Sequence, residues 1–173
     1  MRINDREFEL YLTSDEIAIA VSEIAEKLNT SLQNKNPHFI IILNGTFIFG
    51  ADLLRKFKGK CDISFSRIKS YEGMSSGEIS EFTGFQTQVT NRNIVIVEDI
   101  IDTGKTVFHL VNELEPRKPE SILIVSLLQK NILRPNLIKA DITGFEIPDH
   151  FVVGYGLDYD GEGRNLKDIW RLG

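Results

Sequence analysis

Apolar positions recur along this chain with two different periods, and the alternation between them outlines a fold. Ile17, Val21, Ile24, Leu28 and Leu32 are spaced three or four residues apart, which places them on one face of a helix. Thr13-Ser14-Asp15-Glu16 stands just before them and matches a capping box, Thr13 at the N-cap and Glu16 reaching back. The spacing therefore predicts an amphipathic helix over 14–33. Phe39 to Leu43 is an unbroken apolar run stopped by Asn44-Gly45, the mark of a buried strand. Phe47 to Phe57 predicts a second helix, and Ile63, Phe65 and Arg67 share one face of a strand ending near Ser70. Gln86–Val89 and Asn93–Val97 resemble two strands joined by a tight turn. Thr106–Leu114 predicts a helix ending before Pro116, and Ser121–Leu127 is another buried strand. Residues 71–84, with Gly73, Gly77 and Gly84 and almost no apolar periodicity, predict a long mobile loop. Such loops inside compact domains tend to be lids or binding loops.

Continuously apolar strands alternating with helices indicate an α/β fold, a mainly parallel sheet flanked by helices on both faces. From Asp141 onward helix signals are scarce, and Phe151–Asp158 is the clearest segment; this part is expected to cap the carboxyl edge of the sheet. No repeat or Pro/Gly/Ser linker divides the 173 residues, a length that suits one domain with a substantial core.

Composition narrows the function classes. A net charge of −5 argues against wholesale nucleic-acid affinity. The basic run Arg55-Lys56-Phe57-Lys58-Gly59-Lys60 is what the dipole favours at a helix C-terminus before glycine. Cys61 is the single cysteine, so an intrachain disulfide is impossible and a reducing compartment fits. The first residues lack the apolar centre of a signal peptide, and no run approaches the ~18 apolar residues of a membrane span. A cytoplasmic protein without a membrane partner is expected. His38, His109 and His150 lack metal-ligand spacing, and Trp170 is expected to pin the tail to the core.

The chemistry is concentrated where Ile94-Val95-Ile96-Val97 runs into Glu98-Asp99-Ile100-Ile101-Asp102-Thr103-Gly104-Lys105-Thr106. Two carboxylates at the end of a buried strand lie where open α/β sheets bind their ligands. Asp102 to Thr106 can aim backbone N–H groups and two hydroxyls at a phosphate, at the positive end of the next helix. Acids beside a phosphate cradle suit a phosphorylated sugar, and an acidic protein handling phosphates calls for metal counter-charge. A P-loop would need glycine where Asp99 stands. The Gly-x-Gly-x-x-Gly of a dinucleotide fold is also missing after the strands ending at Leu43 and Val97.

Two acids, two apolar residues, then acid-hydroxyl-glycine-any-hydroxyl closely resembles the phosphoribosyl-diphosphate signature of the purine phosphoribosyltransferases. Leu43-Asn44-Gly45 with Phe47–Leu53, Ser70-Tyr71-x-Gly, Leu127-Leu128-Gln129-Lys130, Gly144–Tyr159 and Arg164-Asn165-Leu166 extend the resemblance in order. They point to the hypoxanthine (hypoxanthine-guanine) phosphoribosyltransferase family. The resemblance implies a type I phosphoribosyltransferase fold as one domain, with a small hood from 1–12 and 141–173 and a lid over about 70–85. It implies transfer of a 5-phosphoribosyl group from phosphoribosyl diphosphate to hypoxanthine and guanine, releasing pyrophosphate, with Mg²⁺ as cofactor and a homo-oligomer, dimer or tetramer. Glu98 and Asp99 would hold ribose hydroxyls and metal, and Asp158 a second Mg²⁺. Asp102, Thr103, Gly104, Lys105 and Thr106 would wrap the 5′-phosphate, although the loop amides can do this without the Lys105 side chain. Asp102 would be the general base for the purine N7–H. Lys130 would donate to O6, Phe151 stack on the base, and Val152 and Asp158 meet its Watson–Crick edge. Arg164 with the Asn44-Gly45 turn would bind pyrophosphate, and Ser70-Tyr71 would head the lid. The family usually has lysine or arginine at the position of Asn44. An RNA-binding regulator on the same fold, or an enzyme for another base such as xanthine, would be the alternatives; the net charge disfavours the regulator.

Overall fold

The first helix begins where its capping box predicts. In the computed structural model, which describes residues 1–70, 79–83, 88–131 and 138–173, the Thr13 backbone N–H donates to Glu16 Oε2 at 2.8 Å. The Glu16 N–H donates back to Thr13 Oγ1 at 3.3 Å. Two otherwise unpartnered donors are thus satisfied at the start of α1 (Ser14–Leu32), which buries Ile17, Val21, Ile24, Leu28 and Leu32.

Those side chains cover one face of a six-stranded sheet. Its strands are β3 (His38–Leu43), β4 (Asp62–Ser70), β5 (Ile79–Thr83), β6 (Asn93–Ile101), β7 (Ser121–Lys130) and β8 (Ile142–Ile147), in the spatial order β5-β4-β3-β6-β7-β8. β4, β3, β6, β7 and β8 are parallel, and β5 adds an antiparallel edge to β4. Successive side chains leave a strand on opposite faces, and the two cores divide accordingly. Phe39, Ile41, Val95, Val97, Val125 and Leu127 pack with α1 and α2 (Phe47–Lys56). Ile40, Ile42, Ile94 and Ile96 pack with α3 (Lys105–Leu114) on the other side. Burial on both faces explains why β3 and β6 are continuously apolar; each such side chain contributes about 1.5–3 kcal/mol.

A second, antiparallel sheet carries the hood: β1 (Arg2–Ile3), β2 (Arg6–Leu12), β10 (Ile169–Leu172) and β9 (Val152–Val153), in the order β1-β2-β10-β9. Chain ends distant in sequence therefore meet, Leu10 opposite Trp170. Among the described residues no helix is long and apolar enough to cross a membrane.

Three expectations need correction. Ile142–Ile147 does not belong to the cap: it pairs in parallel with β7 in the main sheet, so the C-terminal hood begins after it. Its mixture of apolar and polar residues looks the same in sequence whichever sheet receives it. Within 71–84, residues 79–83 form β5 against β4; 71–78 and 84 lie outside the described residues. Val89 is buried against the α3 side of the core rather than paired in a strand, and 84–87 lie outside the described residues. β6 in turn runs on to Ile101, because its ladder with β7 continues to Ile101 opposite Gln129.

Candidate active site at the carboxyl edge of the sheet

Three adjacent parallel strands deliver chemistry to the same edge. After β3 comes the turn Asn44-Gly45-Thr46, entered through a cis Leu43–Asn44 peptide. The end of β6 supplies Asp99 and then Asp102, and β7 ends at Lys130. The hood closes over them with the segment from Pro148 to Asp158 and with Arg164. Between sheet and hood lies a cleft of about 280 Å³, lined by Gly45, Asp99, Asp102 and Lys130 from below and by Phe151, Val152, Asp158 and Arg164 from above. Eight residues picked out in the sequence are thus brought to one cavity. Ile100, His150 and Leu157 line it as well; their ordinary apolar and turn settings in the sequence carry no signal of this.

The remaining candidates lie outside that lining. Thr103 and Lys105 are exposed, Gly104 is buried and Thr106 is half-buried. Together they form the bend into α3, with Gly104 at its N-cap. The first N–H groups of a helix have no partner within it, so this bend offers donors to an anion. Asn44 is exposed, Ser70 ends β4, and Tyr71 lies outside the described residues.

The cleft's polar groups are already organised. The Lys130 ammonium lies 2.7 Å from Asp149 Oδ1 and 3.3 Å from Asp102 Oδ2. Burial would lower its pKa, but Asp149 and Asp102 together outweigh that and raise it, so it remains a cation and a donor. Asp149, beside Pro148, gave no sign in the sequence that it would hold this lysine. Arg164 Nη2 pairs with Asp158 Oδ1 at 2.6 Å, and its Nη1 donates to the Gly156 carbonyl at 2.8 Å. Phe151 lines the cleft and is 45 % exposed, and its ring is buttressed by Phe8 and Tyr159, at centroid distances of 6.4 and 5.8 Å. A partly exposed, propped ring can take a planar group against it.

Glu98 and Asp99 do not share one position. Asp99 lines the cleft, and its carboxylate lies so close over Gly45 that a Cβ there would overlap it. Glu98 is 7 % exposed and turned inward, its Oε1 accepting from Thr46 Oγ1 at 3.2 Å and from the Asp99 N–H at 3.1 Å. Burial first, and then the charge of Asp99, push the Glu98 carboxyl well above the usual carboxylate range. Burial also raises Asp99. An acid whose folded-state pKa is raised disfavours the native state at pH above that value, and the penalty is relieved as pH falls through it. Glu98→Gln, which preserves the acceptor oxygen, is therefore expected to melt at a higher temperature than wild type at pH 8. The gap should narrow as the pH is lowered in a calorimetric series; a variant that melts lower throughout would contradict this.

The donor set fits a hard divalent cation. Asp99 and Asp158 offer carboxylate oxygens at the cleft, and Mg²⁺ commonly takes one or two carboxylates with substrate phosphates rather than a closed protein cage. Among the described residues no group of three or more potential metal ligands is gathered, so substrate oxygens would have to complete the coordination.

The phosphoribosyl transferase domain family matches residues 9–160. The hypoxanthine-guanine phosphoribosyltransferase of Bacillus subtilis (strain 168) is 42% identical over 160 residues, covering 91% of this chain and 89% of that one. The hypoxanthine phosphoribosyltransferase of Buchnera aphidicola subsp. Schizaphis graminum (strain Sg) is 38% identical, with 93% of each chain covered. A crystal structure of a hypoxanthine phosphoribosyltransferase from Staphylococcus aureus superposes with a TM-score of 0.87 at 34% identity, covering 98% of this chain and 93% of that one. Fold, cleft and sequence agree, and the chain belongs to the phosphoribosyltransferase family, in its hypoxanthine-guanine phosphoribosyltransferase group.

Proposed function

We propose that the protein transfers the 5-phosphoribosyl group of phosphoribosyl diphosphate to hypoxanthine and guanine, yielding IMP or GMP and pyrophosphate. The observation that carries this reading is a trio of residues lining the cleft. A cationic Lys130, 3.3 Å from Asp102, shares the cavity with Phe151. A planar base stacked on that ring would meet a donor and a carboxylate along one edge. A 6-oxopurine needs both there, since its O6 accepts and its N7–H gives up a proton.

In this reading the bond between ribose C1 and the diphosphate oxygen breaks, its electron pair leaving with pyrophosphate, while purine N9 forms the new bond to C1. The N7 proton passes to the Asp102 carboxylate, and Lys130 donates to O6. Asp99 holds ribose hydroxyls, and the amides from Asp102 to Thr106 with the hydroxyls of Thr103 and Thr106 hold the 5′-phosphate. Arg164 and the Gly45 turn face the pyrophosphate, and Val152 and Asp158 supply backbone groups to the base. Mg²⁺, held by Asp99 and Asp158 with substrate oxygens, would supply counter-charge to the leaving group. Glu98 acts from behind Asp99 rather than at the ribose, because its carboxylate is turned toward Thr46.

The Lys130 donor also sets base choice. Adenine would turn an amine toward it, leaving a buried donor unpaired, the kind of mismatch that gives strong discrimination. A spectrophotometric panel with hypoxanthine, guanine, xanthine, adenine and uracil is expected to show turnover with the first two and at least about 10³-fold less with adenine. Turnover of none of the 6-oxopurines, with retention of RNA instead, would replace this reading by the regulator; preference for xanthine would reassign the base.

A further inference from the structure

We infer that Thr46 is a positioning residue that fastens the ribose-binding acid to the turn facing the pyrophosphate, an inference that rests on the function proposed above. Thr46 occupies the N-cap position of α2, where threonine ordinarily caps the helix with its side chain. Here it does not: the residue has φ −75° and ψ −5°, and its side chain makes no capping hydrogen bond. The hydroxyl instead crosses to β6. Its oxygen accepts from the Asp99 N–H at 3.0 Å, and its proton goes to Glu98 Oε1 at 3.2 Å. Thr46 is 0% exposed, so water does not compete for either bond.

A hydroxyl is the group that can donate to a carboxylate and accept from an amide through one atom. The two bonds fix the backbone of Asp99 from the α2 side. Asp99 Oδ1 then accepts from the Ile100 N–H at 2.8 Å, and Oδ2 is seated over Gly45, where no side chain could fit. One buried oxygen therefore sets the place of Asp99 relative to the Asn44-Gly45 turn. These two pieces would grip opposite ends of the scissile bond, the ribose hydroxyls and the departing pyrophosphate. Misplacement of either by a fraction of an ångström lowers the fit for the reacting substrate.

Thr46→Val keeps the shape and removes both bonds, whereas Thr46→Ser keeps both bonds and loses a methyl group. A positioning hydroxyl and a packing methyl thus make opposite forecasts. The valine variant is expected to raise KM for phosphoribosyl diphosphate by about tenfold or more, the order of effect that misplacing its binding groups produces. Its KM for hypoxanthine, measured at saturating co-substrate, should move less than about twofold to threefold, and the serine variant should stay close to wild type. Calorimetric titration of phosphoribosyl diphosphate with magnesium should show the same weakening in valine and not in serine. Should the valine protein fail to fold, alanine and serine variants, which differ by the hydroxyl alone, give the same comparison. A valine variant equal to wild type beside an impaired serine variant would overturn the inference, as would KM values for both substrates rising together. A wild-type protein that binds no phosphoribosyl diphosphate would instead remove the proposed function, and the role of Thr46 with it.

Discussion

Asp102→Asn is expected to lower kcat by about 10²–10⁴-fold, the usual contribution of a positioned general base, while phosphoribosyl diphosphate still binds. Asparagine is nearly isosteric with aspartate and can keep an oxygen toward the Lys130 ammonium, which lies 3.3 Å from Asp102. It cannot take up the N7 proton. The lysine itself should stay in place, because its shorter contact is with Asp149 at 2.7 Å. The proposed 5′-phosphate cradle should persist too, since the donors proposed for it are the backbone amides at the start of α3. Steady-state kinetics paired with calorimetric binding separates these effects. An unchanged kcat would remove Asp102 as the base, and lost binding with unchanged turnover per bound substrate would make it part of the phosphate site only.

Gly156→Ala is expected to damage stability and substrate binding together. Gly156 has φ +107°, a conformation L-residues rarely adopt, and a Cβ there would run into the Gly45 carbonyl. The strain alone is worth about 1–3 kcal/mol. The obstacle is backbone, so it cannot rotate aside as a side chain would. The same residue exchanges hydrogen bonds with Arg164, donating to its carbonyl at 2.9 Å and accepting from Nη1 at 2.8 Å. A shift of the 156 turn therefore moves Gly45 and Arg164, the two elements that face the proposed pyrophosphate. Gly161→Ala is the matched control, with φ +86° but nothing within 4 Å of the added carbon. The first variant should lose much more in melting temperature and raise KM for phosphoribosyl diphosphate; the control should show only a modest stability loss. Equal effects from the two would mean that the contact with Gly45 is unimportant.

How much was legible before the fold was known follows from how local each feature is. α1 was visible because its capping box and its apolar stripe are both written within a few turns of chain. β3 and β6 were visible because burial on both faces leaves no polar position between Phe39 and Leu43 or between Ile94 and Val97. The place of β8 in the main sheet is not visible in the sequence, since Ile142–Ile147 has the mixed burial of an edge strand and nothing local names its neighbour. The roles of Thr46 and Asp149 are not visible in the sequence for a similar reason. Their partners, Glu98 and Lys130, are 52 and 19 residues away.

The acid pair shows where the boundary lies. Sequence by itself determined that two carboxylates end a buried strand, and that a bend leads from them into the first turn of the next helix, whose N–H groups lack partners within it. Both are properties of one continuous segment, because strand burial and helix-terminal donors need only neighbouring residues. Which carboxylate meets the cleft was decided by the tertiary structure. Asp99 rests above a residue with no side chain, Gly45, whereas Glu98 is drawn inward by the Thr46 hydroxyl contributed from another strand's turn. The meeting of Lys130 and Phe151 was decided there as well: one comes from the sheet and one from the hood, and they share the cleft because β9 and β10 draw the C-terminal segment back over the carboxyl edge.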